Sequence, residues 1–194
     1  MITLKRVQTF VYRYPLKIPI KTSFGTMNNR PMVLINITDS EGAEGWGEIW
    51  CNFPNVGAEH RANLIDSIFA PILVSRSYEN ASLIFSELTK ATKVLAIQTG
   101  EYGPLAQCIA GIDIAIHDLI AKKKVLPIWK MLGGTNDNVL AYASGINPNQ
   151  AKEMGQKATS LGFNSLKLKI GFANDLDFSN LTILREIIGD DGHL

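Results

Sequence analysis

The amino-acid sequence predicts an α+β domain followed by the first units of a parallel sheet built from alternating strands and helices. Three observations support this. Strand signals fill the chain up to Glu48, helical periodicity runs from Leu64 to Lys122, and beyond residue 125 short strand-like and helix-like segments alternate.

The opening stretch from Ile2 to Tyr14 is rich in Val, Phe, Tyr and Thr and ends at Pro15. That suits a first or edge strand, because proline cannot donate to a ladder. Val33, Ile35 and Ile37 alternate with Leu34 and Asn36, Asp39-Ser40-Glu41-Gly42 supplies turn residues, and Gly45-Trp46-Gly47-Glu48 resumes an extended run. Together these read as a hairpin. Leu64, Ile65, Ile68, Phe69, Ile72 and Leu73 then recur at helical spacing, as do Leu83, Ile84 and Leu88 behind Asn80, a residue type that caps helix N-termini. A third helix over Leu105 to Lys122 gathers Ile109, Ile112, Ala115, Ile116 and Leu119 on one apolar face, and Lys122 to Lys124 suit the negative end of its dipole. Residues 1–125 are assigned to this α+β domain.

In residues 126–194, Val139 to Ala143 reads as a strand and Asn149 to Leu161 as a helix closed by Gly162. Ser165 to Ile170 then reads as a strand and Asp175 to Ile188 as a helix closed by Gly189. Such alternation implies parallel strands joined by right-handed crossovers, with helices covering the sheet. Two parallel strands do not complete a domain, so the remaining strands are expected beyond Leu194 or from another chain. Within Leu166 to Ile170, Lys167 and Lys169 share one face, while Leu166, Leu168 and Ile170 point toward the helices. An isolated K-x-K normally marks a wet face. Sheets built from βα units rarely leave a face open to water, so two inward ammonium groups need a polar site or incur a heavy desolvation cost. Such a pair also has a chemical use. One ammonium disfavours the charged form of the other and can bring its pKa from about 10.4 toward about 7–8, where an amine serves as a general base.

Composition narrows the function classes. The chain is 46% hydrophobic and 19% charged, as expected of a packed globular protein. Its 19 basic and 18 acidic side chains leave a net charge of +1, so nothing favours nucleic acid or an anionic membrane as a partner. The N-terminus lacks a basic segment followed by an apolar run, and the cytosol is the expected compartment. Cys51 and Cys108 fit no metal-spacing motif and are expected as free thiols. The apolar run from Leu105 to Ala121 is broken by Asp113, His117 and Asp118 and reads as a buried helix, not a membrane span.

Several segments taken in order resemble one family. They are Gly45-Trp46-Gly47-Glu48, the helix Ile112 to Lys122 with its tail Pro127 to Gly134, Tyr142-Ala143-Ser144, and Lys167-Leu168-Lys169-Ile170-Gly171. Over essentially its whole length the chain is similar to the mandelate racemase and muconate lactonising branch of the enolase superfamily. That resemblance implies an α+β capping domain followed by a modified TIM barrel, incomplete in this chain, with the active site at the barrel mouth beneath loops of the cap. It implies a small-molecule carboxylate as substrate, Mg²⁺ stabilising the enolate, and racemisation, epimerisation, cycloisomerisation or dehydration as the reaction. Lys169 would be the base that removes or returns the α-proton, with Lys167 tuning it. Lys21, Thr22, Ser23 and Phe24 fall where the first cap loop would meet substrate, and Phe53 and His60 fall near the second. Ser144 would line the pocket from the end of the first barrel strand. The resemblance also implies a homo-oligomer.

Other residues read as structural. Glu48 is expected to satisfy local contacts, His117 to be partly buried beside Asp118, and His193 to lie in a terminal loop. Gly133-Gly134 lacks the flanking strand and helix of a phosphate loop. No metal ligand is assigned, because the family's ligands are expected beyond Leu194, and Asp190 and Asp191 do not replace them. The isolated chain is therefore expected to be inactive. The alternative from another class is a noncatalytic binding or assembly module made of a capping domain and a barrel stub.

Overall fold

The first strand, β1 (Ile2–Thr22), runs on through Pro15 and Pro19, well past the Tyr14 end expected from the sequence. β2 (Gly25–Asp39), β3 (Glu44–Ile49) and the two-residue β4 (Ser77–Tyr78) complete a sheet in the order β3-β2-β1-β4. β4 pairs only with Ile2 and Thr3, leaving a long open edge on β1 where a missing proline N–H is tolerated. The computed structural model describes residues 1–22 and 25–194, except for the side chains of residues 21 and 22. These divide into two compact units, Met1–Pro15 with Asn29–Thr135 and Leu16–Asn28 with Asn136–Leu194.

In the first unit, β2 and β3 form the expected hairpin, antiparallel from Val33 opposite Ile49 to Thr38 opposite Glu44. Asp39 builds its turn. The buried carboxylate accepts the N–H groups of Glu41 (2.9 Å) and Ala43 (2.8 Å) and the ammonium of Lys123 (2.6 Å). Val33, Ile35, Ile37 and Ile49 turn into the core.

That core is closed by α4 (Tyr102–Lys123), which lies against β3 and beside α3 (Ala81–Thr99). The Gly-Trp-Gly run gains its meaning here. A Cβ on Gly45 would stand 2.0 Å from the carbonyl oxygen of Ala115, and one on Gly47 would stand 2.2 Å from that of Gly111. A Cβ on Gly111 would in turn meet Ile49 Cγ1 at 2.3 Å, so strand and helix approach closely only because all three positions lack side chains. Trp46 N–H donates to Asp118 Oδ2 (2.8 Å), which also accepts from Lys122, and α4 is thereby pinned to β3 at its outer edge. By length and composition α4 could cross a membrane, but its apolar face, Leu105, Cys108, Ile109, Ile112, Ala115, Ile116 and Leu119, is core.

Asn80 caps α3 as expected, its Oδ1 accepting from Leu83 N–H at 3.0 Å. The helix expected around Leu64 to Leu73 forms as α1 (Gly57–Leu64), a wider π turn over Ile65–Phe69, and α2 (Ala70–Leu73). The widened turn ends two residues before Pro71, whose nitrogen cannot donate back to it. The unit continues past Val125 to Thr135 and includes the short α5 (Ile128–Met131), which packs on α4.

In the second unit, β5 (Ala143–Ile146) and β6 (Leu166–Leu168) pair in parallel, and α6 (Ala151–Ser160) and α7 (Asn174–Ile188) pack on them and on each other. A small core of Ile146, Ala151, Ala158, Leu166 and Leu184 results. The β, α, β, α order is the one expected, but both strands are shifted or shortened. β5 begins at Ala143, not Val139, because its ladder starts where Ala143 N–H meets Ser165 O (2.8 Å), and Val139 and Leu140 are fully exposed. β6 stops at Leu168, and Ile170 is 61% exposed instead of turning toward the helices. His193 is not in a free loop. It bridges Ser165 in parallel, its carbonyl accepting from Leu166 N–H (2.8 Å), which places a third parallel segment beside β6.

Candidate active site

Parallel pairing of β5 with β6 brings together residues that lie more than twenty positions apart. Ala143 faces Leu166 and Ile146 faces Leu168, and the ladder extends one residue further through Lys169 N–H to Ile146 O (3.3 Å). Lys169 therefore stands across from the end of β5. Its half-buried ammonium donates to Asn147 Oδ1 at 3.2 Å. Lys167, two residues earlier on the strand, is exposed, with Nζ 6.0 Å from the ring centroid of Tyr142. That separation is within cation–π range.

Ser144 is exposed and is the second residue of β5, not its end. Because the strand starts four residues later than the apolar pattern suggests, the position after its last residue belongs to Asn147. The strand pattern does not single out Asn147. Its one local signal is the Asn-Pro dipeptide, a turn initiator, and only the pairing of β5 with β6 carries it to Lys169.

Two further side chains hold this end of the sheet. Asn180, buried on α7, donates from Nδ2 to Pro148 O at 2.9 Å and ties down the 3₁₀ turn Pro148–Gln150. Asp177 Oδ2 accepts the N–H groups of Gly171 (2.7 Å) and Phe172 (3.3 Å) and fixes the turn after Lys169, where Gly171 takes φ of +94°. A cavity of about 420 Å³ opens beside Asn147. Ile18, Pro19, Phe172 and Leu176 give it apolar walls, and Asn147, Pro148, Asn149 and Gln150 form the remaining side.

Lys21 and Thr22 are the last two residues of β1, and their side chains lie outside the described residues, as do Ser23 and Phe24 altogether. Phe53 and His60 belong to the first unit. Phe53 is half-buried and precedes a cis bond to Pro54. His60, on α1, has Nε2 2.7 Å from Glu101 Oε1, close enough for an ion pair but without hydrogen-bond alignment. Among the described residues no group of three or more His, Cys, Asp or Glu side chains is placed to hold a metal ion.

A sequence profile described as "Mandelate racemase / muconate lactonizing enzyme, N-terminal domain" matches residues 4–133. The chain belongs to the mandelate racemase / muconate lactonizing enzyme family. Its capping domain and partial barrel are those of that family within the enolase superfamily. The chain is 29% identical to 3,6-anhydro-alpha-L-galactonate cycloisomerase of Streptomyces coelicolor, covering 96% of this chain and 52% of that protein. It is 29% identical to arabinonate dehydratase of Saccharolobus solfataricus over 82% and 43% of the two chains. With hydrophobic dipeptide epimerase of Enterococcus faecalis it shares 27% identity over 97% and 51%. Among solved structures, a mandelate racemase/muconate lactonizing enzyme from Bordetella bronchiseptica RB50 superposes with a TM-score of 0.90 at 44% identity, over 98% of this chain and 50% of that one. A racemase from Streptomyces coelicolor A3(2) with bound magnesium gives 0.86 at 27%, over 97% and 53%. The chain thus spans about half the length of the relatives it matches. Those relatives are racemases, epimerases, cycloisomerases and sugar-acid dehydratases.

Proposed function

We propose that the protein to which this chain belongs removes the proton α to a carboxylate in a small-molecule substrate, with Lys169 as the base. The observation that supports this most is the placement of Lys169. Its amine stands at the end of the β5–β6 sheet, held by Asn147, which also lines a cavity of about 420 Å³. In its neutral form that amine accepts the α-proton and becomes an ammonium, leaving negative charge on the substrate carboxylate. Lys167 offers a second cation on β6 for that charge, and Ser144 a hydroxyl on β5. Delivery of a proton to the opposite face by an acid outside this chain racemises or epimerises the centre, while protonated loss of the oxygen on the β-carbon dehydrates the substrate or, where that oxygen closes a ring, cycloisomerises it. The family membership supports either outcome and does not choose between them. Lys21 to Phe24, Phe53 and His60 remain the proposed substrate-selecting residues of the cap. The cytosol as compartment and a homo-oligomer as assembly are part of the same proposal.

Magnesium enters this reading through the family. The described residues do not fit such an ion, since they hold no cluster of ligating side chains, and its ligands are proposed to lie outside this chain. The isolated 194-residue chain is accordingly proposed to be inactive.

The test is ¹H–²H exchange at the α-carbon of a panel of carboxylic acids in Mg²⁺ buffer, followed by NMR. It is run on this chain and on a polypeptide extended by the remaining barrel strands. Exchange in the extended protein that vanishes on Lys169→Met is expected. Full exchange in Lys169→Met would reject the base assignment, and exchange by the 194-residue chain alone would reject the claim that it is inactive.

A further inference from the structure

Asn147 has the residue type and backbone conformation that cap a helical turn, but its side chain does something else. It is the residue before the 3₁₀ turn Pro148–Gln150, with φ −80° and ψ 145°, and makes no side-chain capping hydrogen bond. The N–H of Gln150 is satisfied by the backbone carbonyl of Asn147 (3.1 Å), which frees the amide group. An asparagine in this setting ordinarily turns its oxygen onto the turn's own N–H groups. Here Oδ1 accepts instead from Lys169 Nζ, 22 positions along the chain. The amide can face Lys169 in only one sense, because an ammonium has donors and no acceptor.

The segment carrying Asn147 is also fixed from behind. Asn180 donates to the carbonyl of Pro148, and the backbone N–H of Lys169 reaches the carbonyl of Ile146. Donor and acceptor thus sit one residue beyond the ends of two strands whose register is set by the sheet, and the Asn147–Lys169 contact is built in, not adventitious.

We propose that Asn147 is the positioning residue of Lys169. It holds the Nζ of this lysine, and not that of Lys167, at a fixed place at the end of the sheet. The proposal deepens the reading of Lys169 as the base and rests on that reading for its functional meaning. Its physical content can be tested without catalysis.

The experiment is competitive acylation of lysines in the folded chain by trace acetic anhydride across a pH series, with Lys169 and Lys167 quantified as separate peptides by mass spectrometry. Only the neutral amine reacts. Asn147→Ala is expected to raise Lys169 acylation at neutral pH about threefold or more, by removing the acceptor that holds its amine at the end of the sheet, and to leave Lys167 unchanged. Asn147→Asp keeps an acceptor oxygen at the same place and is expected to leave Lys169 acylation at or below the wild-type level. Superimposable Lys169 curves in wild type and both variants would overturn the proposal. So would equal changes at Lys167 and Lys169, which would indicate general loosening of the strand. Failure of the base assignment is read separately, from α-proton exchange in Lys169→Met, and does not alter the acylation result.

Discussion

Replacing Gly111 by alanine sets two effects of known sign against each other. Alanine is the better helix former by about 1 kcal/mol at an interior position, so on propensity alone Gly111→Ala should stabilise α4. The structure predicts the reverse. The new methyl would lie 2.3 Å from Ile49 Cγ1 and 3.2 Å from the carbonyl oxygen of Glu48, and β3 cannot retreat because Gly45 and Gly47 are themselves packed on the helix backbone. Overpacking of this kind costs about 1–3 kcal/mol, and a contact partly against backbone belongs at the upper end. Net of the propensity gain, a loss of about 2 kcal/mol is expected, or about 4–8 °C in Tm for a chain of this length. Gly103 provides the control on the same helix, because a Cβ there meets nothing within 4 Å. Gly103→Ala should therefore be neutral or stabilising by up to about 1 kcal/mol. Urea unfolding followed by tryptophan fluorescence is the assay, since Trp46, Trp50 and Trp129 all lie in the first unit. A Gly111→Ala midpoint at or above wild type would refute the close approach of helix and strand and leave the Gly-Trp-Gly run without a packing reason.

The buried Asp39 carboxylate, 1% exposed, predicts a pH signature. Burial by itself would raise its pKa, but the hydrogen bond from Lys123 and the N–H groups of Ala43 and Glu41 outweigh that and hold it below the ordinary carboxylate value; the same contact raises Lys123. A lowered carboxyl contributes stability above its unfolded pKa and loses it as pH falls through the folded value, whereas a raised lysine loses its contribution only at strongly alkaline pH. Asp39→Ala should cost about 2–3 kcal/mol at pH 7, and its deficit against wild type should shrink below about pH 4; a deficit that stays constant down to pH 2 would contradict the pairing. Burial pushes the Cys108 thiol up to about 12 and raises Cys51 as well. Neither should react with a thiol-specific disulfide reagent in the folded chain at pH 8, and both should react on unfolding; rapid labelling of the native protein would show that the first unit's core is open.

Much of the fold was legible because local chemistry and tertiary structure agree. The alternation of Val33, Ile35 and Ile37, the Asn80 cap and the apolar stripe on α4 each survive into the structure, since each requires only one element to bury one face. The misreadings fall where a neighbouring strand decides. Val139 and Leu140 have strand-forming side chains but no ladder, and β1 continues through two prolines because β4 covers so little of its edge. The candidate site divides in the same way. Lys167 and Lys169 stand out through their spacing, whereas Asn147 and Asn180 are unremarkable in a linear reading and become visible once β5, β6 and α7 are packed.

By itself, then, the sequence determined the order of the longer elements, the α+β to β/α change and the spacing of the lysine pair, since periodicity and residue chemistry are local properties. Only the tertiary structure decided where the strands of the second unit begin and end, why Gly45, Gly47 and Gly111 must be glycine, and which residue holds Lys169. The physical reason is that ladder register, helix–strand approach and a hydrogen bond between strands depend on groups far apart in the chain, and no local pattern records their distance.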